Sequence, residues 1–209
     1  MGIHRQVISG TLVLGALFAP IHVAQAQGGQ VGAIVGATFS TLRGIDGLDS
    51  RTGLLGGLSF VTSGGTLAWQ PEVLAVSKGA KGTTTGAQGL KLDYLEIPVL
   101  LRLSLSRELG MRPHVYAGPY LGFQLDCSVK GSSADCNDLP GVSTHTVDVG
   151  GIVGGGLDFD LGPLVLTGGV RYGFGVSTVA DFELGQVKES AKNGVWALYT
   201  GLSFRVGGR

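Results

Sequence analysis

Eight segments of this chain alternate apolar and other residues with a period of two, and that repetition narrows the fold more than any other feature. They lie at approximately 30–41, 52–62, 66–77, 90–103, 112–125, 146–160, 164–175 and 194–206. Strict alternation assigns one side-chain set to each face of a β-strand, and each segment reaches the roughly 9–11 residues of a tilted membrane strand. The apolar parity runs through Val31, Ala33, Val35, Ala37 and Phe39 in the first segment. In the third it is Leu67, Trp69, Pro71, Val73 and Ala75, and in the fifth Val115, Ala117, Pro119, Leu121 and Phe123. The fourth, LDYLEIPVLLRL, sets Leu95, Ile97, Val99, Leu101 and Leu103 on that parity and Tyr94, Glu96, Pro98, Leu100 and Arg102 on the other.

Connection lengths alternate as well. Long ones (42–51, 78–89, 126–145, 176–193) interleave with shorter ones carrying SGG near 63–65, SLSRELGM near 104–111 and GP near 162–163. Short turns at one end and long loops at the other are the asymmetry of an outer-membrane barrel, whose short turns face the periplasm. The expected fold is therefore all-β: an eight-stranded antiparallel up-and-down transmembrane β-barrel with both termini periplasmic. A soluble lipocalin-like binding barrel would turn the apolar parity inward. Against it, the second parity is rich in glycine, tyrosine and threonine and poor in charge, as in Gly118, Tyr120 and Gly122; the apolar parity holds no charge at mid-strand; and loop lengths segregate by end.

With lipid outside, the second parity faces a lumen that eight strands leave just wide enough for side chains to fill. Glu72, Glu96, Arg102, Asp148, Asp158 and Arg171 all point into it by parity, with Tyr94, Tyr116 and Tyr120 set among glycines. An unpaired charge there is costly, so acids should meet bases. The expected polar network sets Glu72 and Glu96, on neighbouring strands, against Arg102 or Arg171, with Tyr94 and Tyr120 beside them. A packed polar plug is the structural reading, an ion or proton relay the functional one. Pro98, flanked by Pro71 and Pro119 on the adjoining segments, predicts bulging or lost ladder hydrogen bonds, because proline donates none.

Composition agrees with export to a membrane. Only 14% of the 209 residues are charged and mean hydropathy is +0.32, whereas about a quarter of a soluble domain is charged. Residues 1–26 read as a cleaved signal peptide: Arg5, an apolar run from Val7 to Ala19, Pro20, then Ala24-Gln25-Ala26. Residues 27–209 are then a single barrel, with 14 basic and 15 acidic residues once Arg5 is removed. No basic excess suits nucleic acid. The two cysteines, Cys127 and Cys136, lie in DCSVKGSSADCND; in an oxidising compartment a disulfide is expected there.

Four stretches together resemble the PorT-like outer-membrane β-barrel family of Bacteroidetes-type bacteria: LAWQPEVLAVSKGAK (67–81), LDYLEIPVLLRL (92–103), HVYAGPYLGF (114–123) and GGVRYGFGVST (168–178), with VGAIVGATFSTLRG (31–44) similar to its first strand. The resemblance implies an eight-stranded barrel inserted by the outer-membrane assembly machinery, and no particular activity. The chain departs from that pattern at Ala75, where an aromatic is usual, and in continuing five residues past Phe204.

No H-E-x-x-H, Walker A or G-x-S-x-G motif is present, and GGIVGGG (150–156) falls inside an alternating segment. No enzyme, cofactor or metal is expected. His145 beside Ser143 and Asp148 is the remote candidate for a rim-located enzyme; His114 faces inward as a core side chain. Asp126, Asp135 and Asp138 carry oxygens of the kind calcium takes, and equally make a solvated acidic loop. Two function classes stand: a structural or interaction barrel meeting a surface or envelope partner through 126–145 and 175–194, and a small-solute porin.

Overall fold

The computed structural model describes residues 28–43, 48–62, 65–82, 90–105, 110–129, 142–144, 146–177, 180–184 and 187–207. Ten strands follow in order: β1 (Gly29–Arg43), β2 (Leu48–Thr62), β3 (Leu67–Gly82), β4 (Leu90–Ser104), β5 (Met111–Val129), β6 (Val142–Thr144), β7 (Val147–Leu161), β8 (Leu164–Gly175), β9 (Ala180–Leu184) and β10 (Val187–Val206). Eight of them form an antiparallel meander, β1-β2-β3-β4-β5-β7-β8-β10, closed by a β1–β10 ladder that runs unbroken from Gly29–Val206 to Arg43–Lys192. The barrel is the expected one.

The connections differ from expectation. The strands run on past the segments read from sequence, so 42–51 and 78–89 shrink to gaps at 44–47 and 83–89. The two longest connections hold strand too. β6 pairs with β9, and β9 with residues 187–191 of β10, making a small sheet beyond the barrel. Once a strand leaves the bilayer its outer face no longer has to be apolar: Ser77, Lys91 and Asp93 occupy outward positions there, and the alternation fades from the sequence.

Orientation is clear in each of the eight barrel strands. Outward side chains are apolar and exposed, Leu54 at 74% and Leu198 at 58%, and they ring the barrel. No water-soluble fold leaves so continuous an apolar surface uncovered. Aromatic residues mark its borders. Phe39 is paired with Trp196 and Trp196 with Tyr172 at the loop end; Phe60 and Phe204 flank Val31 at the turn end. From Trp196 to Phe204 a strand rises about 26 Å at roughly 3.3 Å per residue, which a tilt of about 40° reduces to about 20 Å, close to the apolar band of such barrels.

Each short turn has a glycine with positive φ: Gly65, Gly110 and Gly162. At Gly162-Pro163 the two-residue hairpin needs a left-handed first residue, and proline forbids it at the second, so glycine is fixed there. The prolines act as expected in part. The β3–β4 ladder lapses between the Pro71–Val99 and Leu74–Glu96 pairs, and β4–β5 lapses between Pro98–Tyr120 and Leu101–Ala117; register is unchanged on either side, so hydrogen bonds are lost without a bulge. The bulge of β5 lies elsewhere, at Leu125: Asp93 faces Asp126 while Tyr94 faces Gln124.

Candidate functional site: the charged lumen and its vestibule

The inner face carries three tiers of ionised side chains. In the middle tier Arg171 of β8 reaches across to Glu72 of β3 through two hydrogen bonds of 2.6 and 3.2 Å. The guanidinium lies over the rings of Tyr199 (4.5 Å) and Tyr116 (5.6 Å), whose hydroxyls are joined at 3.1 Å. The bidentate fork adds geometric specificity to charge. Room for the rings comes from glycine: a Cβ on Gly154 would stand 2.6 Å from the Tyr116 ring.

Toward the turns, Gln70 links tiers, donating to Glu72 (2.7 Å) and accepting from Arg102 (3.1 Å). Arg102 is paired with Asp158, which also accepts from Thr167 (2.9 Å) and lies 3.5 Å from Arg112. His114, fully buried, lies 3.5 Å from the same carboxylate and stacks on Tyr116. Toward the loops, Lys78 is held by Glu96 and by Asp148 (2.8 Å) above the rings of Tyr94 and Tyr120. Asp148 further accepts from Tyr120 (3.0 Å), Asn193 (2.8 Å) and Ser177 (3.2 Å).

Of the pairings expected from sequence, Arg171 with Glu72 is present, and the others are corrected. Arg102 meets neither glutamate: it stands six residues along β4 from Glu96, about 20 Å at strand rise, so the two occupy different tiers. Glu96 takes Lys78 instead. Sequence reading missed Lys78 because it began a presumed loop, although its parity matches Glu72, Leu74 and Val76. Tyr94 and Tyr120 gather around Lys78, not around the arginines. Between tiers the lumen is apolar, with Ile34, Leu55, Leu74, Val76, Leu100 and Ile152 buried inside; the expected polar plug is half hydrocarbon. Such a medium strengthens the ion pairs and makes each unpaired charge more costly.

The remaining candidates separate. Cys127 is buried because the Leu125 bulge turns it inward; Cys136 lies outside the described residues. So do Asp135 and Asp138, leaving Asp126, which is exposed. His145 is outside them as well, while Asp148 is buried under four donors.

Open space is uneven. A cavity of about 510 Å³ opens at the turn end, lined by Gln30, Thr62, Arg102, Ser104, Arg112 and Arg205 among others. Deeper in the lumen, two cavities of about 20 Å³ each remain, one against Gln70 and Tyr199 and one against Lys78 and Glu96; that is room for roughly one water apiece.

The sequence matches the family described as outer membrane protein beta-barrel domain over residues 24–181. The solved structures that share the fold include two outer-membrane barrels. Neisserial surface protein A is 16% identical, with TM-score 0.54, covering 84% of this chain and 96% of its own. Outer membrane protein AlkL, determined in DMPC lipid bilayers, is 15% identical, with TM-score 0.51, covering 100% and 99%. No curated protein matches in sequence. A barrel closed by eight strands, greasy outside and ionised within, together with a match over most of its length, makes this a bacterial outer-membrane protein: the chain belongs to the outer membrane protein β-barrel domain family.

Proposed function

We propose that this protein is a non-conducting barrel that acts as an interaction protein, presenting its strand extensions and the β6–β9–β10 sheet at the cell surface to an envelope or surface partner. One observation carries the reading: among the described residues the lumen is filled across its width by ion pairs, tyrosines and aliphatic side chains, and the two cavities between the tiers each hold about one water. A small-solute pore needs a continuous path, and the wide vestibule ends at the Arg102–Asp158 pair.

Several finer features belong to the same proposal. Residues 1–26 act as the export signal, both termini face the periplasm, and the assembly machinery inserts the barrel. Cys127 and Cys136 form a bridge that ties the third long connection; in support, no described cysteine is a free thiol. Affinity to the PorT-like branch rests on the motifs at 67–81, 92–103, 114–123 and 168–178. The protein is not an enzyme on this reading and needs no cofactor.

Planar bilayers loaded with the mature barrel are expected to show no steady conductance; porin-like steps would refute closure. Cross-linking in native envelopes then tests the interaction. Deleting 128–135 should abolish the cross-linked product while the barrel keeps its heat-modifiable migration, and an undiminished product would remove that loop as the contact.

A further inference from the structure

The tiers do not carry equal charge. The loop-side tier has Lys78 against Glu96 and Asp148, and the middle tier has Arg171 against Glu72. At the turn end Arg102, Arg112 and Arg205 face only Asp158 and Asp160. Among the described residues, then, one positive charge is left over at the turn end.

That excess adjoins the cavity of about 510 Å³ at the turn end. All three guanidiniums line it: Arg102 at the floor, Arg112 on the wall and Arg205 at the rim. The two carboxylates are not among its lining residues. Arg112 is the least engaged. Its Nη2 makes a single long contact of 3.5 Å with an Asp158 already paired to Arg102, and its buried Nε has no partner. A guanidinium offers five donors in a planar fork suited to oxyanions, and a buried donor without an acceptor is costly. Ser104, Thr62 and Gln30 add neutral hydrogen-bonding groups around the same space, whose volume falls within the range of small-molecule sites.

We propose that this vestibule binds a small solute or headgroup through one oxyanion, phosphate or carboxylate, held by Arg112 with Arg205 at the mouth. The charge of the bound group balances the turn-end tier and gives the Arg112 Nη groups, which hold one long contact, a close acceptor. Arg102 remains the floor, committed to Asp158 and Gln70. The site is distinct from the loop-end surface proposed for partner contact and does not depend on that reading.

The test uses the whole mature barrel in maltoside micelles, in phosphate-free buffer at constant ionic strength, with the arginine Nε–Hε signals followed by NMR. Inorganic phosphate should shift the Arg112 signal saturably, and succinate serves as the carboxylate probe. Arg112→Gln and, separately, the more exposed Arg205→Gln should each weaken phosphate binding by at least about tenfold, equivalent to about 1.4 kcal/mol, with heat-modifiable migration confirming the fold. If Arg112→Gln does not fold, Arg205→Gln decides. A shift that never saturates, or an affinity unchanged in the folded variants, overturns the proposal. A second arm identifies the source: transfer to nanodiscs containing phosphatidylglycerol moves the Arg112 signal without added phosphate if the ligand is a lipid headgroup, and leaves it responsive only to added anion if the ligand is soluble.

Discussion

Among the described residues Lys78 is the one cation of the loop-side tier, and two carboxylates depend on it. Lys78→Leu leaves Glu96 and Asp148 facing each other in a dry lumen; breaking such an arrangement costs about 3–5 kcal/mol. Glu96→Leu is milder, because Lys78 keeps Asp148. Arg102→Leu falls between, since Asp158 retains Thr167 and the more distant Arg112. Urea midpoints of the three variants in micelles should follow that order, and a flat series would show that the tiers do not act as pairs. Gly154 tests packing in the same way. Its Ala variant collides with the Tyr116 ring, displacing it from Arg171 at a cost of about 1–3 kcal/mol. Adding Tyr116→Ala should make the Gly154 change nearly silent, and a full additive loss would dissociate the glycine from the ring.

At the scale of the element, the eight barrel strands are legible because lipid enforces one parity over each crossing. What lies beyond the bilayer is not. Ser77, Lys91 and Asp93 occupy outward positions where water is the solvent, so the ends of β3 and β4 carry no apolar signal, and β6 and β9 are too short to alternate visibly. The Leu125 bulge reverses parity, which no pattern of residue types announces. Six inward charges were legible and Lys78 was not; beyond Arg171 with Glu72 their partners were not legible either, because pairing across the lumen follows the stagger of strands around the barrel. The proline diagonal was readable, and it makes a prediction about the ladders. The amides of Glu72 and Val99 point into the two lapses in pairing, opposite Pro98 and Pro119; they should exchange with deuterated solvent or relax measurably faster than those of Ala33, Val35 and Ala37 in the unbroken β1–β10 ladder. Equal protection in nanodiscs would mean that the lapses are healed in lipid.

For the whole molecule, the question is which part closes the barrel. A seal built from loops and a seal built from the lumen look alike in a conductance trace, but they respond to opposite deletions. The β6–β9–β10 sheet sits beyond the strand ends, whereas the ion-paired tiers join β3, β4, β7 and β8 through the interior. Replacing 142–144 and 178–191 by short linkers should therefore leave the bilayer silent and the barrel heat-modifiable. Cutting Tyr116, Arg171 and Tyr199 back to Ala together removes the widest obstruction of the middle tier and leaves Glu72 without its cation. That variant should either leak small ions or lose much of its resistance to urea, since packing and closure reside in the same side chains. Current after removal of the outer sheet alone would place the seal in the loops and make the buried tiers a matter of stability only.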